Sequence, residues 1–286
     1  MIERTNGSGD PRIDLYRDIA DAEFLRSRGL FVAEGRLVVQ RVLEDRALTV
    51  RSVLVSESAY RALEPVLTVA GRTLSIYICE AADFLSITGH DIHRGCLALV
   101  ERPPRMTVAD LLARSRAPRL GIRRASRSGT TPCATLVVLE AVTNADNVGG
   151  VFRNVAAFGA DGVLLSPTTC DPLYRKAIRT SMAATVRVPY ARVDPWPAGL
   201  NEVRSAWFTI VALTPRKPSM PLEAFASEPR PQAIAFLVGT EGLGLSAGSE
   251  SMADVRVRIH ISPVIDSLNL AVAVGIALHA LRYRSG

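Results

Sequence analysis

The sequence predicts an α/β fold of two domains. The chain has 286 residues, and at roughly 150 residues per domain this length favours two cores. In the second half, short continuous apolar runs alternate with helical segments, as in parallel strands buried on both faces. The first hundred residues alternate in the same way on a smaller scale. We therefore expect a small α/β layer followed by a mostly parallel sheet with helices on both faces.

Hydrophobic periodicity defines the elements of the first domain, which we place at residues 1–105. Leu15, Ile19, Phe24 and Leu25 recur at helical spacing and predict a helix that begins near Asp14. The elements predicted after it are a helix over 32–44, a strand over 51–55, a helix over 59–66 and a strand over 75–79.

A change of composition separates the domains. From about residue 101 the chain contains Arg-Pro-Pro-Arg, a short helical stretch over 108–113, and then a series of arginines without an acidic residue among them. We interpret 106–131 as a basic linker, and its Arg123 and Arg124 as candidate contacts to a polyanionic partner, whose binding would then be sensitive to salt. The same arginines could also simply remain solvated.

The second domain, 132–286, begins with the apolar run 134–140. The pattern predicts helices over 148–158, 172–184 and 267–283, and further strands over 162–165, 207–213, 233–238 and 255–261. Pattern alone indicates a Rossmann-like domain, which leaves a nucleotide-dependent enzyme such as a dehydrogenase as one alternative.

Basic residues outnumber acidic ones by 34 to 28, and Lys176 and Lys217 are the only lysines. Guanidinium groups suit phosphate contact and base stacking, so this bias fits a polyanionic partner, although codon bias in a GC-rich genome explains it equally well. The hydrophobic content of 48% and charged content of 22% argue against extensive disorder.

Other classes of protein are disfavoured. The four cysteines are far apart and form no C-x-x-C pair, which fits a reducing cytoplasm. We expect no signal sequence, and the longest apolar run, 268–281, is shorter than the roughly 20 residues that span a bilayer. His90 and His93 stand three residues apart, but no third ligand is apparent and we expect no metal site.

Three stretches of the second half carry the functional signal: Asn147-Val-Gly-Gly-Val-Phe-Arg153, Leu237-Val-Gly-Thr-Glu-Gly-Leu-Gly244, and the segment from Ile259 to Ser267-Leu-Asn269. Each alone is explained by a turn, a strand–helix connection or a helix cap. In this order and spacing they resemble the signature of the SpoU/TrmH family of RNA ribose 2′-O-methyltransferases, in the SPOUT superfamily.

This resemblance implies the fold and the partners. It implies a SPOUT domain with a deep trefoil knot, S-adenosylmethionine as cofactor, rRNA or tRNA as substrate, and a homodimer. The segments 31–36 and 93–98 resemble, more weakly, the ribosomal-protein-like RNA-binding domain that precedes the catalytic domain in many members. A non-catalytic RNA-binding or ribosome-assembly protein with the same fold is the second alternative.

The resemblance also assigns the cofactor site to the second and third stretches. Gly239, Thr240, Ile259 and Leu268 are the expected cofactor contacts, and we expect the missing side chain of Gly239 to let the ligand lie against the backbone. His260 and Ile261 depart from the Pro-Met that commonly follows the matching isoleucine.

The expected catalytic residues are Arg153, Asn147, Glu241, Ser267 and Asn269. In the family the arginine that matches Arg153 contacts the target nucleotide and is often assigned to activation of the hydroxyl. Removing a proton from a guanidinium at neutral pH costs about 9 kcal/mol, so we favour a cation that grips phosphate. Glu241 could accept backbone hydrogen bonds or hold Arg153, and Ser267 or Asn269 could cap the last helix.

A further basic group lies between the first two stretches. Helical spacing places Arg175 and Arg179 on one face, with Lys176 and Tyr174 beside them. Such a face suits RNA, although a solvated helix face is equally compatible with it.

Overall fold

A computed structural model of the chain describes residues 2–7, 9–17, 19, 21–70, 74–89, 92, 95–117, 134–229 and 231–282. The chain divides into two compact units. The first unit contains Met1–Pro104 together with Asp171–Val186, and the second contains Arg105–Cys170 and Arg187–Gly286. The segment 171–186 therefore packs with the first unit, although it lies inside the predicted second domain.

The first unit contains a five-stranded mixed sheet in the order β1-β4-β3-β5-β2. Its strands are β1 (Ile2–Arg4), β2 (Leu30–Glu34), β3 (Val50–Ser56), β4 (Ser75–Cys79) and β5 (Cys96–Glu101). Its helices are α1 (Ala22–Ser27), α2 (Arg36–Glu44), α3 (Glu57–Val69) and α4 (Asp83–Thr88), preceded by a 3-10 helix, Pro11–Tyr16. The segment 171–186 adds α7 (Arg175–Thr180).

Two predictions for the first unit are wrong. The segment 32–34 belongs to strand β2 and not to the following helix, because Leu30–Glu34 is buried throughout and Gly35, at φ +96°, separates it from α2. The predicted helix from residue 14 onward is interrupted. Pro11–Tyr16 forms a 3-10 helix that ends at the extended Arg17, and α1 begins separately at the N-cap Asp21.

The second unit contains a seven-stranded sheet in the order β10-β12-β9-β11-β6-β7-β8, and every neighbouring pair of its strands is parallel. Its strands are β6 (Ala134–Leu139), β7 (Gly162–Leu165), β8 (Tyr190–Arg192), β9 (Thr209–Leu213), β10 (Met220–Pro221), β11 (Ala233–Val238) and β12 (Val255–Arg258). The helices are α5 (Val108–Arg116), α6 (Ala145–Phe158), α9 (Leu200–Ser205), α10 (Leu222–Ser227), α11 (Ala247–Ser251) and α12 (Leu270–Arg282), and α8 (Ala184–Arg187) lies at the boundary of the units. The predicted α/β class and mostly parallel sheet are confirmed.

The central strands β6 and β11 are buried along their whole length. Their apolar side chains pack with those of β9 and of helix α5, whose Leu111 and Leu112 are both buried in the same core. The linker assigned to 106–131 thus contains a helix that belongs to the second unit's core. Residues 118–131, with Arg123 and Arg124, lie outside the described residues.

The predicted helix over 172–184 is wrong in extent. Helix α7 ends at Thr180, and Met182 and Ala183 adopt positive φ angles of 55° and 66°, which no helix continues through. The strand predicted over 207–213 begins two residues later, because Trp207, at φ 62°, terminates helix α9. In the part of the chain that the structure describes, no helix has the length and hydropathy to cross a membrane.

Candidate active site

Three residues follow directly after parallel strands of the second unit. Glu140 follows β6, Gly239 follows β11 and Ile259 follows β12. In the sheet these strands stand in the order β12-β9-β11-β6 and run in one direction. The carboxyl edge of the sheet therefore brings the second and third sequence stretches next to the helix α6 that carries the first.

The side chain of Asn269 joins all three stretches. Its Nδ2 donates a 2.9 Å hydrogen bond to Oδ1 of Asn147 and a 3.0 Å bond to Oε1 of Glu241. Its Oδ1 accepts from the backbone N–H groups of Ala271 and Val272 and so caps helix α12. One amide thus fixes the start of the last helix relative to a buried residue of α6 and to the loop after β11.

Helices α6 and α12 approach closely because both contain glycines where they meet. A Cβ on Gly150 would lie 2.7 Å from the Cβ of Ala271, and a Cβ on Gly275 would lie 3.1 Å from Nδ2 of Asn154. Asn154 Nδ2 also donates a 2.6 Å bond to the carbonyl of Ala271. The second glycine of the first stretch, Gly150, is explained by this helix packing, which positions Asn147 against Asn269.

Arg153 is exposed on α6 and lines an open groove of about 470 Å³ between α6 and α12. The groove is also lined by Asn154, Val272 and Ile276. Within the described residues Arg153 forms no ion pair or hydrogen bond. The alternative in which Glu241 holds Arg153 is wrong, because the carboxylate of Glu241 bonds to Asn269 and, at 3.5 Å, to the N–H of Leu270.

The prediction that Gly239 leaves room for a ligand is also wrong. A Cβ at Gly239 would lie 2.2 Å from the carbonyl carbon of Gly244, so the chain's own backbone fills that space. Thr240 forms a β-bridge with Gly244, whose N–H donates a 3.0 Å bond to the Thr240 carbonyl. Residues 239–245 therefore close on themselves in a tight turn. They contain the expected cofactor contact Thr240, so we name them the cofactor loop.

Arg216 holds the outer side of the cofactor loop. Its Nη2 donates a 2.9 Å bond to the carbonyl of Leu243, and its Nη1 donates a 3.1 Å bond to the carbonyl of Leu245. Glu250 lies 3.2 Å from the same Nη1 and balances the guanidinium charge. Sequence reasoning missed this residue, and no local signal marks it because Arg216 acts across the edge of the sheet.

Glu140 holds the loop from inside the protein. Its carboxylate is buried and accepts hydrogen bonds from Trp196 Nε1, the N–H and hydroxyl of Ser246, and the hydroxyl of Ser249. Burial opposes the charged form, but the bonds from Ser249, Ser246 and Trp196 outweigh burial and lower the pKa of Glu140. The position of Glu140 directly after the buried strand β6 is the sequence signal that could have identified it.

Ile259 and Leu268 are half-buried near the same edge, and Ser267 between Leu268 and Asp266 is exposed. Among the described residues the backbone N–H groups of Ile259 and Leu268 carry no hydrogen bond. Val264 and Ile265 between them expose apolar side chains. Free amides beside apolar side chains are the chemistry that an adenosine requires, so these residues fit such a ligand.

Arg175 and Arg179 share one partner in the first unit, the buried carboxylate of Glu34. The distances are 2.5 Å from Arg175 Nη1 and 3.1 Å from Arg179 Nη1. The predicted common face of the two arginines is confirmed, and Arg175 is mostly buried whereas Arg179 is half-exposed. Lys176 is exposed on the same helix.

Several sequence expectations fall outside the described residues, namely those on Arg123, Arg124, His90 and His93. Within the residues that the structure does describe, no group of three or more His, Cys, Asp or Glu side chains could hold a metal ion.

Comparison with known proteins identifies relatives of the chain. The model of the SpoU rRNA Methylase family matches residues 134–279. A Mycobacterium bovis protein named as an uncharacterized tRNA/rRNA methyltransferase is 35% identical over 281 residues, which cover 97% of this chain and 90% of that protein. The resemblance inferred from the three stretches is confirmed.

Solved structures share the fold. The AdoMet-bound rRNA methyltransferase from Sinorhizobium meliloti superimposes with a TM-score of 0.76 at 22% identity, covering 98% of this chain and 97% of that one. A structure described as an RNA 2′-O ribose methyltransferase gives a TM-score of 0.73 at 23% identity and covers 98% of both chains.

Proposed function

The chain belongs to the SpoU rRNA methylase family, and from this membership we propose that it transfers a methyl group to a ribose 2′-hydroxyl of rRNA or tRNA. S-adenosylmethionine-dependent methylation of RNA, without the choice of ribose, follows from the family itself. The observation that carries the proposal is the Asn269 amide, which bonds Asn147 and Glu241, together with the exposed Arg153 on the same helix α6 as Asn147.

The reaction asks three things of the protein: it must bind the donor, hold the hydroxyl in line with the methyl group, and help remove the hydroxyl proton. S-adenosylmethionine supplies an activated methyl group. Asn147, Glu241 and Asn269 act together as a rigid frame, and the exposed Ser267 beside it contacts the ribose. The hydrogen bonds of the frame support this role because they fix the site before substrate arrives.

Arg153 contacts the RNA as well, through its phosphate. It grips the phosphate next to the target ribose and orients the hydroxyl, and the proton leaves through phosphate or water. Its exposure and its lack of a partner within the described residues support this role, since a guanidinium already paired with a carboxylate would have to give up that bond first.

The cofactor lies between the cofactor loop and the segment 259–268. Thr240, Ile259 and Leu268 contact it, and Gly239 contributes by letting the loop close rather than by contact. The unbonded amides of Ile259 and Leu268 support this placement.

RNA is also held outside the methyl-transfer site. We propose that the first unit is the ribosomal-protein-like RNA-binding domain, that the arginine-rich part of 106–131 after helix α5 is a basic connection, and that Arg123, Arg124, Lys176 and Arg179 contact phosphate. Arg175 contributes positive charge near these residues without contacting phosphate itself, since Glu34 holds it in the interior. The excess of arginine supports these contacts.

The assembly is a homodimer with a knotted second domain. Val272 and Ile276 expose apolar surface along the α6–α12 groove, which supports a second copy there. The trefoil knot is proposed from membership of the family, whose model matches residues 134–279. The cytoplasm is the expected location because rRNA and tRNA are modified there.

Mapping of ribose methylation tests the proposal. Total RNA incubated with protein and S-adenosylmethionine should gain one 2′-O-methyl site, and this site should be absent with Arg153→Ala. RNA binding without methylation would indicate a non-catalytic protein instead. Methylation of a base would retain the family and overturn the ribose assignment.

A further inference from the structure

We infer that Glu140 is a positioning residue that holds the cofactor loop in the shape that accepts S-adenosylmethionine. The inference rests on the proposed function of that loop. Glu140 reaches both ends of the loop. Its backbone N–H donates a 2.9 Å bond to the carbonyl of Val238, which precedes the loop, and its carboxylate binds Ser246, which follows it.

The four groups that face the carboxylate all donate to it. Trp196 Nε1 lies at 2.9 Å, the Ser246 N–H at 3.0 Å, the Ser246 hydroxyl at 2.7 Å and the Ser249 hydroxyl at 2.6 Å. Two of these groups are N–H donors that cannot accept a hydrogen bond. Trp196 Nε1 bonds Oε1 and the Ser246 N–H bonds Oε2, so both atoms of the side-chain end must be acceptors. Glu140 is also buried too deeply for water to replace it.

The loop depends on this attachment because its two ends are in direct contact. The backbone of Gly244 occupies the space beside Gly239, so a shift of Ser246 moves the loop as a unit. Glu241 lies in the middle of that unit and bonds Asn269. Arg216 is more than half exposed and holds only the outer carbonyls, so it cannot replace the inner attachment.

Calorimetry of S-adenosylmethionine binding to the full-length protein tests the inference. Glu140→Gln keeps the shape but places an amide NH₂ against N–H donors, and it should weaken the affinity by about tenfold or more. Asp161→Asn is the matched control. Asp161 is also buried and accepts a 2.7 Å bond from the N–H of Thr135, but at the amino end of the same strand β6.

Both variants should lower the melting temperature, and only Glu140→Gln should change the dissociation constant. An unchanged constant in Glu140→Gln, or equal weakening in both variants, overturns the inference. If Glu140→Gln does not fold, Ser246→Ala replaces it. This variant removes the hydroxyl bond to Glu140 together with the cap of helix α11, and it should weaken binding several-fold. An unchanged dissociation constant in Ser246→Ala would also overturn the inference.

Tryptophan fluorescence adds a signature that general destabilisation would not produce. In a Trp207→Phe background, Trp196 is the sole tryptophan, and its indole donates to Glu140. Addition of S-adenosylmethionine should change its emission, and Glu140→Gln should abolish that change at saturating ligand. A preserved change would overturn the inference. Failure of the wild-type protein to bind the ligand would instead overturn the proposed function, and the inference with it.

Discussion

The side-chain amide of Asn269 lies 2.9 Å from Oδ1 of Asn147, a residue 122 positions earlier in the chain. The same Nδ2 group reaches Glu241, and the other end of the side chain caps helix α12. A single short side chain therefore couples the geometry of the site to the position of the last helix.

Replacement of Asn269 can distinguish its role as the cap of helix α12 from its bonds to Asn147 and Glu241. Asn269→Asp retains a good N-cap but points a carboxylate oxygen at Asn147 Oδ1 and at Glu241, which repel it. We expect methyl transfer to fall by about 100-fold or more while the helix remains folded. Asn144→Asp is the control, because Asn144 caps α6 alone. It should retain activity within about twofold, and equal losses in both variants would contradict a special role for Asn269.

Arg153 distinguishes catalysis from simple RNA binding. Arg153→Ala should reduce the rate of methyl transfer by about 100-fold, the contribution of a well-positioned group, with nearly constant affinity for S-adenosylmethionine. Arg153→Lys keeps the charge and loses the planar fork. Poor activity of the lysine variant at every pH supports the phosphate grip, whereas recovery at high pH would favour proton abstraction by the side chain. Full turnover of the alanine variant would remove Arg153 from the mechanism.

Gly239 should be needed for folding of the loop. A Cβ there overlaps the backbone of Gly244, and we expect Gly239→Ala to lower the free energy of unfolding by about 2 kcal/mol or more and to weaken cofactor binding together with it. Gly248→Ala is the control, since its Cβ would meet Pro197 at an ordinary 3.5 Å. Thermal melts with and without S-adenosylmethionine measure both effects. A Gly239→Ala protein that is stable but no longer binds S-adenosylmethionine would instead support the prediction that the ligand lies directly against Gly239.

Glu34 forms ion pairs with two arginines, and variants of these pairs should distinguish a contribution to stability from a contribution to RNA binding. Glu34→Gln leaves the mostly buried Arg175 without its carboxylate and should cost about 3 kcal/mol of stability. Arg179→Gln removes a half-exposed partner, should cost less than about 1 kcal/mol, and should weaken RNA binding and its dependence on salt. Chemical denaturation and RNA titration at two salt concentrations test these values. An unchanged salt dependence in Arg179→Gln would exclude Arg179 from the RNA contact.

The ionised Glu140 should make the stability of the protein depend on pH. Its pKa is lowered on folding from the ordinary value of 4.5, so its stabilising contribution is complete above that value and is lost as the pH falls through the folded pKa. The difference in melting temperature between wild type and Glu140→Gln should therefore be constant between about pH 6 and 8 and should shrink below about pH 4.5. A difference that grows on acidification would contradict an ionised Glu140.

Five of the seven strands of the second unit could be predicted because a buried parallel strand is a continuous apolar run, as at 134–139 and 233–238. The short edge strands β8 and β10 were missed, because two or three residues carry no pattern of their own. Strand β2 was assigned to a helix because periodicity does not distinguish a short apolar run in a strand from one in a helix. The break in the segment 172–184 was missed for a different reason: nothing in the residue types of Met182 and Ala183 indicates positive φ angles.

The α/β class, the family and the residues that meet at the Asn269 amide can be read from the sequence, because those properties depend on residue types and their order along the chain. Three contacts become visible only in the folded chain. Glu140 binds Ser246 across 106 positions, Arg175 binds Glu34 across 141, and the backbone of Gly244 fills the space beside Gly239. The physical reason is that a buried carboxylate or guanidinium takes whichever complementary group the packing brings within about 3 Å, and a pattern of neighbouring residues does not contain that distance.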